Sequence, residues 1–120
     1  MKFLLDTNFL MIPGKFRVDV FRELEQFEKP ESYTLGSVLR ELDRLSISGP
    51  DSKNAKLALG MVRKENVRIM PDKAKSVDEE LIKLAGKGFV VCTQDREIIR
   101  ALKGKYPVVT LRQKRYLVKL

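Results

Sequence analysis

Histidine is absent from this sequence, and cysteine occurs once, as Cys92. No serine–histidine–aspartate or cysteine–histidine catalytic group can form, and a zinc site built from cysteine and histidine is excluded. The lone cysteine allows no internal disulfide, and its place in the apolar run from Phe89 indicates a small buried side chain. Any catalytic group must therefore be a carboxylate, a lysine or a hydroxyl, and any bound metal must prefer oxygen ligands.

Long hydrophobic runs are also missing. No stretch approaches the ~18 apolar residues that a membrane-spanning helix needs. The apolar stretch that begins at Met1 is too short for a signal peptide, because Asp6 interrupts it at once. We therefore expect a cytoplasmic protein with no membrane partner. Hydrophobic residues make up 43% of the chain and are spread along it, which predicts a single domain over residues 1–120 with its own core.

Negative charge is in deficit, with 16 acidic residues against 24 lysines and arginines and a formal net charge of +8. A surplus of this size favours a polyanionic partner, and nucleic acid is the first to consider. A generally charged, soluble surface is the alternative interpretation of the same composition.

Short apolar runs alternate along the chain with apolar stripes at helical spacing. Five runs predict strands, over 3–5, 33–35, 67–70, 89–93 and 108–111. Five stripes predict helices, over 18–27, 38–45, 51–64, 76–85 and 96–103, and Pro13-Gly14 predicts a break. This alternation predicts an α/β fold, a three-layer sandwich around a parallel sheet. In such sheets, functional sites form beyond the carboxyl ends of the strands.

Four acidic residues occupy places where a carboxylate could meet others. Asp6 and Asp95 each follow a predicted strand, although each could instead cap the helix that comes next. Glu41 borders the apolar face of its helix, where it could also be an ordinary surface residue. Asp78 is predicted to share the core face of its helix with Leu81, Ile82 and Ala85, where a carboxylate is costly unless it is paired or bound to a cation.

Clustered carboxylates repel one another unless something compensates their charge. In a chain without histidine, Mg²⁺ or Mn²⁺ is the natural compensation, because these ions take carboxylate and water ligands. Such ions also assist the displacement of an oxygen at phosphorus. A basic chain with clustered carboxylates therefore points to phosphodiester hydrolysis.

These residues make a pattern that resembles the PIN-domain nucleases over essentially the full chain. The four acids of that family match Leu5-Asp6-Thr7-Asn8, Val38-Leu39-Arg40-Glu41-Leu42, Asp78-Glu79-Glu80-Leu81-Ile82 and Thr93-Gln94-Asp95. The resemblance implies a metal-dependent ribonuclease in which Asp6, Glu41, Asp78 and Asp95 hold Mg²⁺ or Mn²⁺ and activate a water. It also implies cleavage products with a 5′-phosphate and a 3′-hydroxyl. Thr7, Asn8 and Thr93 are expected to hydrogen-bond the carboxylates.

Within the family, the chain is most similar to the branch linked to ribosomal RNA processing in the small-subunit processome. The matching stretches include Asp6 to Phe9, Lys15 to Phe21, Ala55 to Leu59 and the ending from Pro107 to Tyr116. This similarity implies precursor rRNA as a substrate and makes a homodimer plausible. Gln94 departs from the asparagine of many relatives, and Glu79 from the second aspartate that is frequent in the branch.

The basic end of the chain is a candidate RNA contact, made of Arg112, Lys114, Arg115 and Tyr116, with Lys103 and Lys105 before it. Its cations could neutralise phosphates, and a tyrosine could stack on an unpaired base. A solvated edge strand protected by lysine and arginine explains the same residues equally well.

Three other functions compete with rRNA processing. One is a toxin-type PIN ribonuclease that pairs with a protein antitoxin, and another is a PIN module that binds RNA without cutting it. The third is a phosphoaspartyl enzyme or receiver domain, which the sequence disfavours because Asn8 stands where a second aspartate is needed.

Overall fold

The chain folds around one six-stranded sheet in the computed structural model, which describes residues 1–72 and 75–120. The strands are β1 (Lys2–Leu5), β2 (Glu31–Leu35), β3 (Arg68–Met70), β4 (Phe89–Cys92), β5 (Val108–Arg112) and β6 (Tyr116–Lys119). The helices are α1 (Thr7–Leu10), α2 (Ile12–Phe16), α3 (Val20–Leu24), α4 (Gly36–Ile47), α5 (Ser52–Lys64), α6 (Val77–Ala85) and α7 (Arg96–Leu102). The strand order is β3-β2-β1-β4-β5-β6, and all neighbours are parallel except β5 and β6. The predicted α/β fold is confirmed.

The first strand of the chain lies in the middle of the sheet, paired with β2 on one side and β4 on the other. Its residues Phe3, Leu4 and Leu5 are all fully buried. Because successive side chains of a strand point to opposite faces, both faces of the sheet must be covered here, as in sheets flanked by helices on both sides. The register pairs Leu5 with Cys92, so the residues that follow these two strands emerge side by side.

The break that the sequence predicts at Pro13-Gly14 is wrong, because both residues lie inside α2. Proline suits this place because the first turn of a helix needs no backbone donor. Glycine suits it because α2 packs closely on α5: a Cβ at Gly14 would lie 2.5 Å from Asn54 Oδ1. The predicted helix over 18–27 shrinks to α3, which begins where Asp19 accepts hydrogen bonds from the backbone N–H groups of Phe21 and Arg22.

The chain does not end on β5 but turns back as β6, a strand that the sequence pattern did not predict. Gln113 and Lys114 form the turn with φ of 55° each, in the left-handed region. The outer edge of β6 is partly covered, because the Leu117 N–H donates a hydrogen bond to Glu23 Oε1 of α3 at 3.1 Å. Since β5 is parallel to β4, this turn lies at the sheet edge where the parallel strands end.

Among the residues that the structure describes, five polar ones are buried in the apolar core, namely Asp6, Thr7, Thr34, Thr93 and Thr110. Most of them lie at the carboxyl ends of the central strands, where the Thr34 hydroxyl also donates to the Leu5 carbonyl at 2.7 Å. Buried polar groups need hydrogen-bond partners, so this edge of the sheet is held by specific contacts rather than by packing alone. In the described part of the chain, no helix combines the length and apolar character needed to cross a bilayer.

Candidate functional site

Asp6 is the most buried acid of the candidate site, with 6% of its surface exposed. It follows β1 and caps α1, where its Oδ1 accepts a hydrogen bond from the Phe9 N–H at 2.8 Å. Its Oδ2 accepts a second bond from the Thr93 hydroxyl. The pKa of Asp6 is raised to about 6, because burial, helped by the nearby carboxylates of Asp95 and Asp78, outweighs the two hydrogen bonds that oppose the shift.

Asp95 follows β4 and lies beside Asp6 through Thr93. The Asp95 N–H donates to Thr93 Oγ1 at 3.0 Å, and the same threonine hydroxyl donates to Asp6. Asp95 also caps α7, since its Oδ1 accepts from the Glu97 N–H at 2.9 Å. The capping role that the sequence offered as an alternative is therefore real, and it coexists with a place beside the buried acid.

Asp78 lies in the first turn of α6, where Ser76 is the cap and accepts from the Glu79 N–H at 3.3 Å. The expectation that Asp78 faces the core together with Ile82 is wrong, because both residues are exposed. The core face of α6 carries Leu81, Leu84 and Ala85 instead. Partial desolvation and the nearby carboxylates of Asp95, Glu97 and Glu41 nevertheless raise the pKa of Asp78.

Glu41 lies on α4 at the border of its apolar face, as the helical spacing predicts. Val38 and Leu42 are buried against the core, whereas Glu41 is exposed. Its charge still reaches Asp78, whose pKa it helps to raise. The helix therefore presents this carboxylate beside α6 without burying it.

The four acids, each from a different part of the sheet edge, line one cavity of about 110 Å³. The other lining residues are Thr7, Asn8, Val77, Leu81 and Ile98. Of the three residues expected to bond the carboxylates, Thr93 donates to Asp6, while Thr7 and Asn8 line the cavity. Across residues 1–72 and 75–120, no three acidic side chains are arranged closely enough to hold one ion as they stand. The oxygen-only donors of the cavity do fit the chemistry of Mg²⁺ or Mn²⁺.

Two larger cavities lie away from these four acids. One, of about 290 Å³, includes Glu31 and Arg68, which are 3.5 Å apart and offset each other's charge. The other, of about 330 Å³, is lined mainly by apolar side chains such as Leu59 and Ile69. Neither brings unpaired carboxylates to the ends of the central strands, so the smaller cavity is the chemical candidate.

The candidate RNA-binding residues surround the turn that follows β5. Arg112, Lys114, Arg115 and Tyr116 are all exposed, and the Lys114 ammonium lies 5.8 Å from the ring centroid of Phe16 at the end of α2. Lys103 and Lys105 precede β5 and so lie toward its opposite end. The turn and the carboxylate cavity therefore share one edge of the sheet, whereas the two earlier lysines belong to the other.

Gln94, between Thr93 and Asp95, has a structural role that sequence reasoning missed. Its Oε1 accepts hydrogen bonds from the Thr110 hydroxyl and the Leu111 N–H, both at 2.7 Å. These bonds fasten the loop that carries Asp95 to β5. No pattern in the sequence indicates this role of Gln94, because its partners are 16 and 17 positions away and meet it only in the folded sheet.

Comparisons with known proteins agree with this geometry. A family model described as a PIN like domain matches residues 3–114. Ribonuclease VapC9 of Archaeoglobus fulgidus is 32% identical over an alignment of 121 positions, which covers 97% of this chain and 87% of the relative. The solved structure of the PIN domain endonuclease Utp24 matches with a TM-score of 0.79, covering 99% of this chain and 92% of that one. At 19% sequence identity, this last match shows the fold alone.

Proposed function

Because the chain belongs to the PIN-like domain family, we propose that it is a divalent-metal-dependent endoribonuclease. One observation carries the proposal: Asp6, Glu41, Asp78 and Asp95 come from four separate elements and line a single cavity. Folding alone gives no reason to gather four like charges, because each of them raises the free energy of the others. The proposal treats residues 1–120 as one nuclease domain, since the buried residues form one cluster from Phe3 to Leu117.

The four carboxylates would hold Mg²⁺ or Mn²⁺ in this cavity. Such an ion, when bound, supplies a water of lowered pKa and stabilises negative charge on the phosphoryl oxygens. Asp6 is fixed by Phe9 and Thr93, so it offers a preorganised carboxylate at the floor of the cavity. Glu41 and Asp78 are exposed, so they can adjust to the phosphodiester and the ion without disturbing the core.

The substrate proposed is single-stranded RNA, because the basic turn lies at the same sheet edge as the acids. Arg112, Lys114 and Arg115 would neutralise phosphates, and Tyr116 would stack on an unpaired base. Products with a 5′-phosphate and a 3′-hydroxyl, and a cytoplasmic location, are part of the same proposal. The name of the relative, Ribonuclease VapC9, supports RNA as the substrate class.

Two biological roles fit this chemistry. Maturation of precursor rRNA follows from the resemblance to the processome branch, and it stays a prediction because the likeness to Utp24 concerns the fold. A toxin-type ribonuclease held by a protein antitoxin is the second candidate, and the likeness to Ribonuclease VapC9 favours it. A protein that copurifies in equal amount and blocks cleavage would identify the second role.

The deciding experiment is incubation of the purified chain with end-labelled precursor rRNA and an unrelated single-stranded RNA in Mn²⁺, with mapping of the cut ends. We expect internal cuts with 5′-phosphates that disappear in Asp6→Asn and on chelation of the metal. Preferred cuts at few positions of the precursor would support rRNA processing. RNA binding without cleavage in any divalent metal would instead identify a non-catalytic module and overturn the proposal.

A further inference from the structure

We propose that Asp72 is a positioning residue of the carboxylate cavity: from the loop after β3 it holds the first turn of α4 and so places Glu41. This inference rests on the proposed function, because it assigns a role toward the acids that would bind the ion. Asp72 does not line the cavity. Its effect on the chemistry would pass through α4.

The start of α4 lacks a capping side chain of its own. The residue before the helix is Leu35, which offers no oxygen to the free N–H groups of the first turn. Asp72, which is 35 positions after Ser37, supplies the missing oxygen acceptors. Its Oδ1 accepts a hydrogen bond from the Ser37 N–H and its Oδ2 accepts one from the Ser37 hydroxyl, both at 2.7 Å. A carboxylate at this end of a helix is also favoured by the helix dipole.

The contact is close and largely closed to solvent. The Asp72 side chain is 4% exposed, and a Cβ at Gly36 would lie 3.4 Å from its Oδ1. Arg40 adds a hydrogen bond from Nη2 to the Asp72 carbonyl at 3.3 Å. The Arg40 side chain is 65% exposed, so its 3.9 Å ion pair with Asp72 contributes little beside the two part-buried bonds to Ser37.

The placement of this contact connects two of the four acids. Glu41 is four residues after Ser37, which puts it about one helical turn further along nearly the same side of α4. Asp78 is six residues after Asp72, at the start of the next helix in the chain. The Asp72–Ser37 bonds therefore join the helix that carries Glu41 to the chain segment that leads to Asp78. Pairing of β2 with β3 ends at Leu35 and Met70, just before both segments begin.

A matched pair of variants tests this role, namely Asp72→Ala and Asp19→Ala. Asp19 also holds the first turn of a helix, as the local cap of α3 whose Oδ1 accepts from the N–H groups of Phe21 and Arg22 at 3.1 Å, but α3 contributes nothing to the cavity. Both variants should lower the melting temperature. Only Asp72→Ala should raise the Mn²⁺ concentration that gives half of the maximal thermal stabilisation. We expect an increase of about tenfold, which is the lower end of the range for residues that orient metal ligands.

Further measurements separate positioning from mere stability. Without metal, hydrogen exchange in the first turn of α4 should accelerate in Asp72→Ala and not in Asp19→Ala. Asp72→Asn should recover most of the Mn²⁺ affinity, because its amide oxygen can still accept from the Ser37 N–H. If Asp72→Ala does not fold, Ser37→Ala removes one of the two bonds and should raise the half-saturating Mn²⁺ concentration by a smaller factor.

The outcomes distinguish this inference from the function beneath it. A native chain that Mn²⁺ neither stabilises nor activates overturns the proposed function, and the role of Asp72 with it. A native chain that responds to Mn²⁺, with unchanged half-saturation in Asp72→Ala or Ser37→Ala, overturns the positioning role alone. Equal weakening of Mn²⁺ binding by Asp19→Ala would assign the effect to general stability and would also overturn it.

Discussion

The Thr93 hydroxyl donates its hydrogen bond to Asp6, although the two residues are 87 positions apart in the chain. A hydroxyl has one proton to give, and Thr93 Oγ1 at the same time accepts from the Asp95 N–H at 3.0 Å. One fully buried side chain thus fixes the relation between two of the four acids.

Replacing Thr93 by valine should disturb Asp6 more than it disturbs the packing, because the two side chains have nearly the same shape. The lost hydrogen bond opposes the rise in the Asp6 pKa, so the variant should have a still higher pKa at this residue. We expect the pH profile of RNA cleavage to move to higher pH and stability to fall by about 1–3 kcal/mol, the cost of an unsatisfied buried group. Thr93→Ser keeps the hydroxyl and should stay close to the native profile. Identical profiles for valine and serine would show that the bond does not tune Asp6.

The buried Asp6 should make stability depend on pH in a definite direction. Its pKa is raised from 3.8 to about 6, so the folded state binds this proton more tightly than the unfolded chain does. The resulting stabilisation is fully present below pH ~3.8 and is lost as the pH rises to about 6. A pKa difference of this size corresponds to roughly 3 kcal/mol. In metal-free buffer, we compare the unfolding free energy of the native chain with that of Asp6→Asn. The value for the native chain minus that for the variant should fall over this pH window and then level off. Denaturant titrations from pH ~4 to ~7 measure this difference, and a flat one would contradict the raised pKa.

Divalent metal should stabilise the chain through the cavity acids and not through other acids of the same helix. An ion that binds the folded state alone at about 100 times its Kd adds roughly 2.7 kcal/mol. Glu41→Gln should reduce the Mn²⁺-induced rise in melting temperature, and Asp6→Asn should abolish it. Asp43→Asn is the matched control, since Asp43 lies on α4 but outside the cavity. Equal Mn²⁺ shifts in Glu41→Gln and the native chain would remove Glu41 from the site.

The turn after β5 should contact RNA through its charges. For single strands, each phosphate contact adds about 0.7 to the slope of log K against log salt. Lys114→Ala with Arg115→Ala should therefore lower that slope by about 1.4 and leave Mn²⁺ stabilisation intact. Lys103→Ala with Lys105→Ala removes the same charge at the other end of β5 and should change the slope much less. If the plots of log K against log salt concentration coincide for the turn variant and the native chain, these cations protect the edge strand and do not contact RNA.

Two glycines in helices should respond to alanine in opposite ways. Gly60 lies within α5, and a Cβ there meets nothing within 4 Å, so Gly60→Ala should raise the unfolding free energy by about 1 kcal/mol. At Gly14 the added Cβ would lie 2.5 Å from Asn54 Oδ1 and 3.0 Å from its Cα, so Gly14→Ala should destabilise the fold. Thermal denaturation of both variants checks the pair. A stabilised Gly14→Ala would show that α2 and α5 are not packed as described.

The parts of the fold that the sequence predicted are those with a local cause. Apolar runs in alternation with helical stripes predict parallel strands and crossover helices, because the periodicity of each segment reports its own burial. The start of α7 could be predicted from Asp95 because a cap lies next to the helix it serves. Asp6, Asp95 and Glu41 could be selected for the same reason, since each follows a strand or borders a helical face, whereas the pattern selects Asp78 for a core-facing position that it does not occupy.

The parts that the sequence did not predict depend on distant neighbours. The bonds of Gln94 to Thr110 and of Asp72 to Ser37 join segments whose proximity only the folded sheet creates. The sequence predicts a break at Gly14 because the close approach of Asn54 cannot be seen from the segment around Gly14 itself. The predicted position of Asp78 is wrong because the face of α6 that packs on the core carries Leu81, Leu84 and Ala85, and so is turned away from Asp78 and Ile82.

The central place of β1 determines when the cavity can be completed during synthesis. Asp6 is synthesised before its partners, because its strand pairs with β4 and its carboxylate is held by Thr93, 87 positions later. At roughly 5–20 residues per second, seconds of translation separate the two partners. During that interval a nascent chain carries Asp6 without Thr93 and Asp95, and β1 without its neighbour β4. The cleavage proposed for this cavity needs all four carboxylates, so it can begin only after residue 95 has been synthesised and β4 has paired with β1.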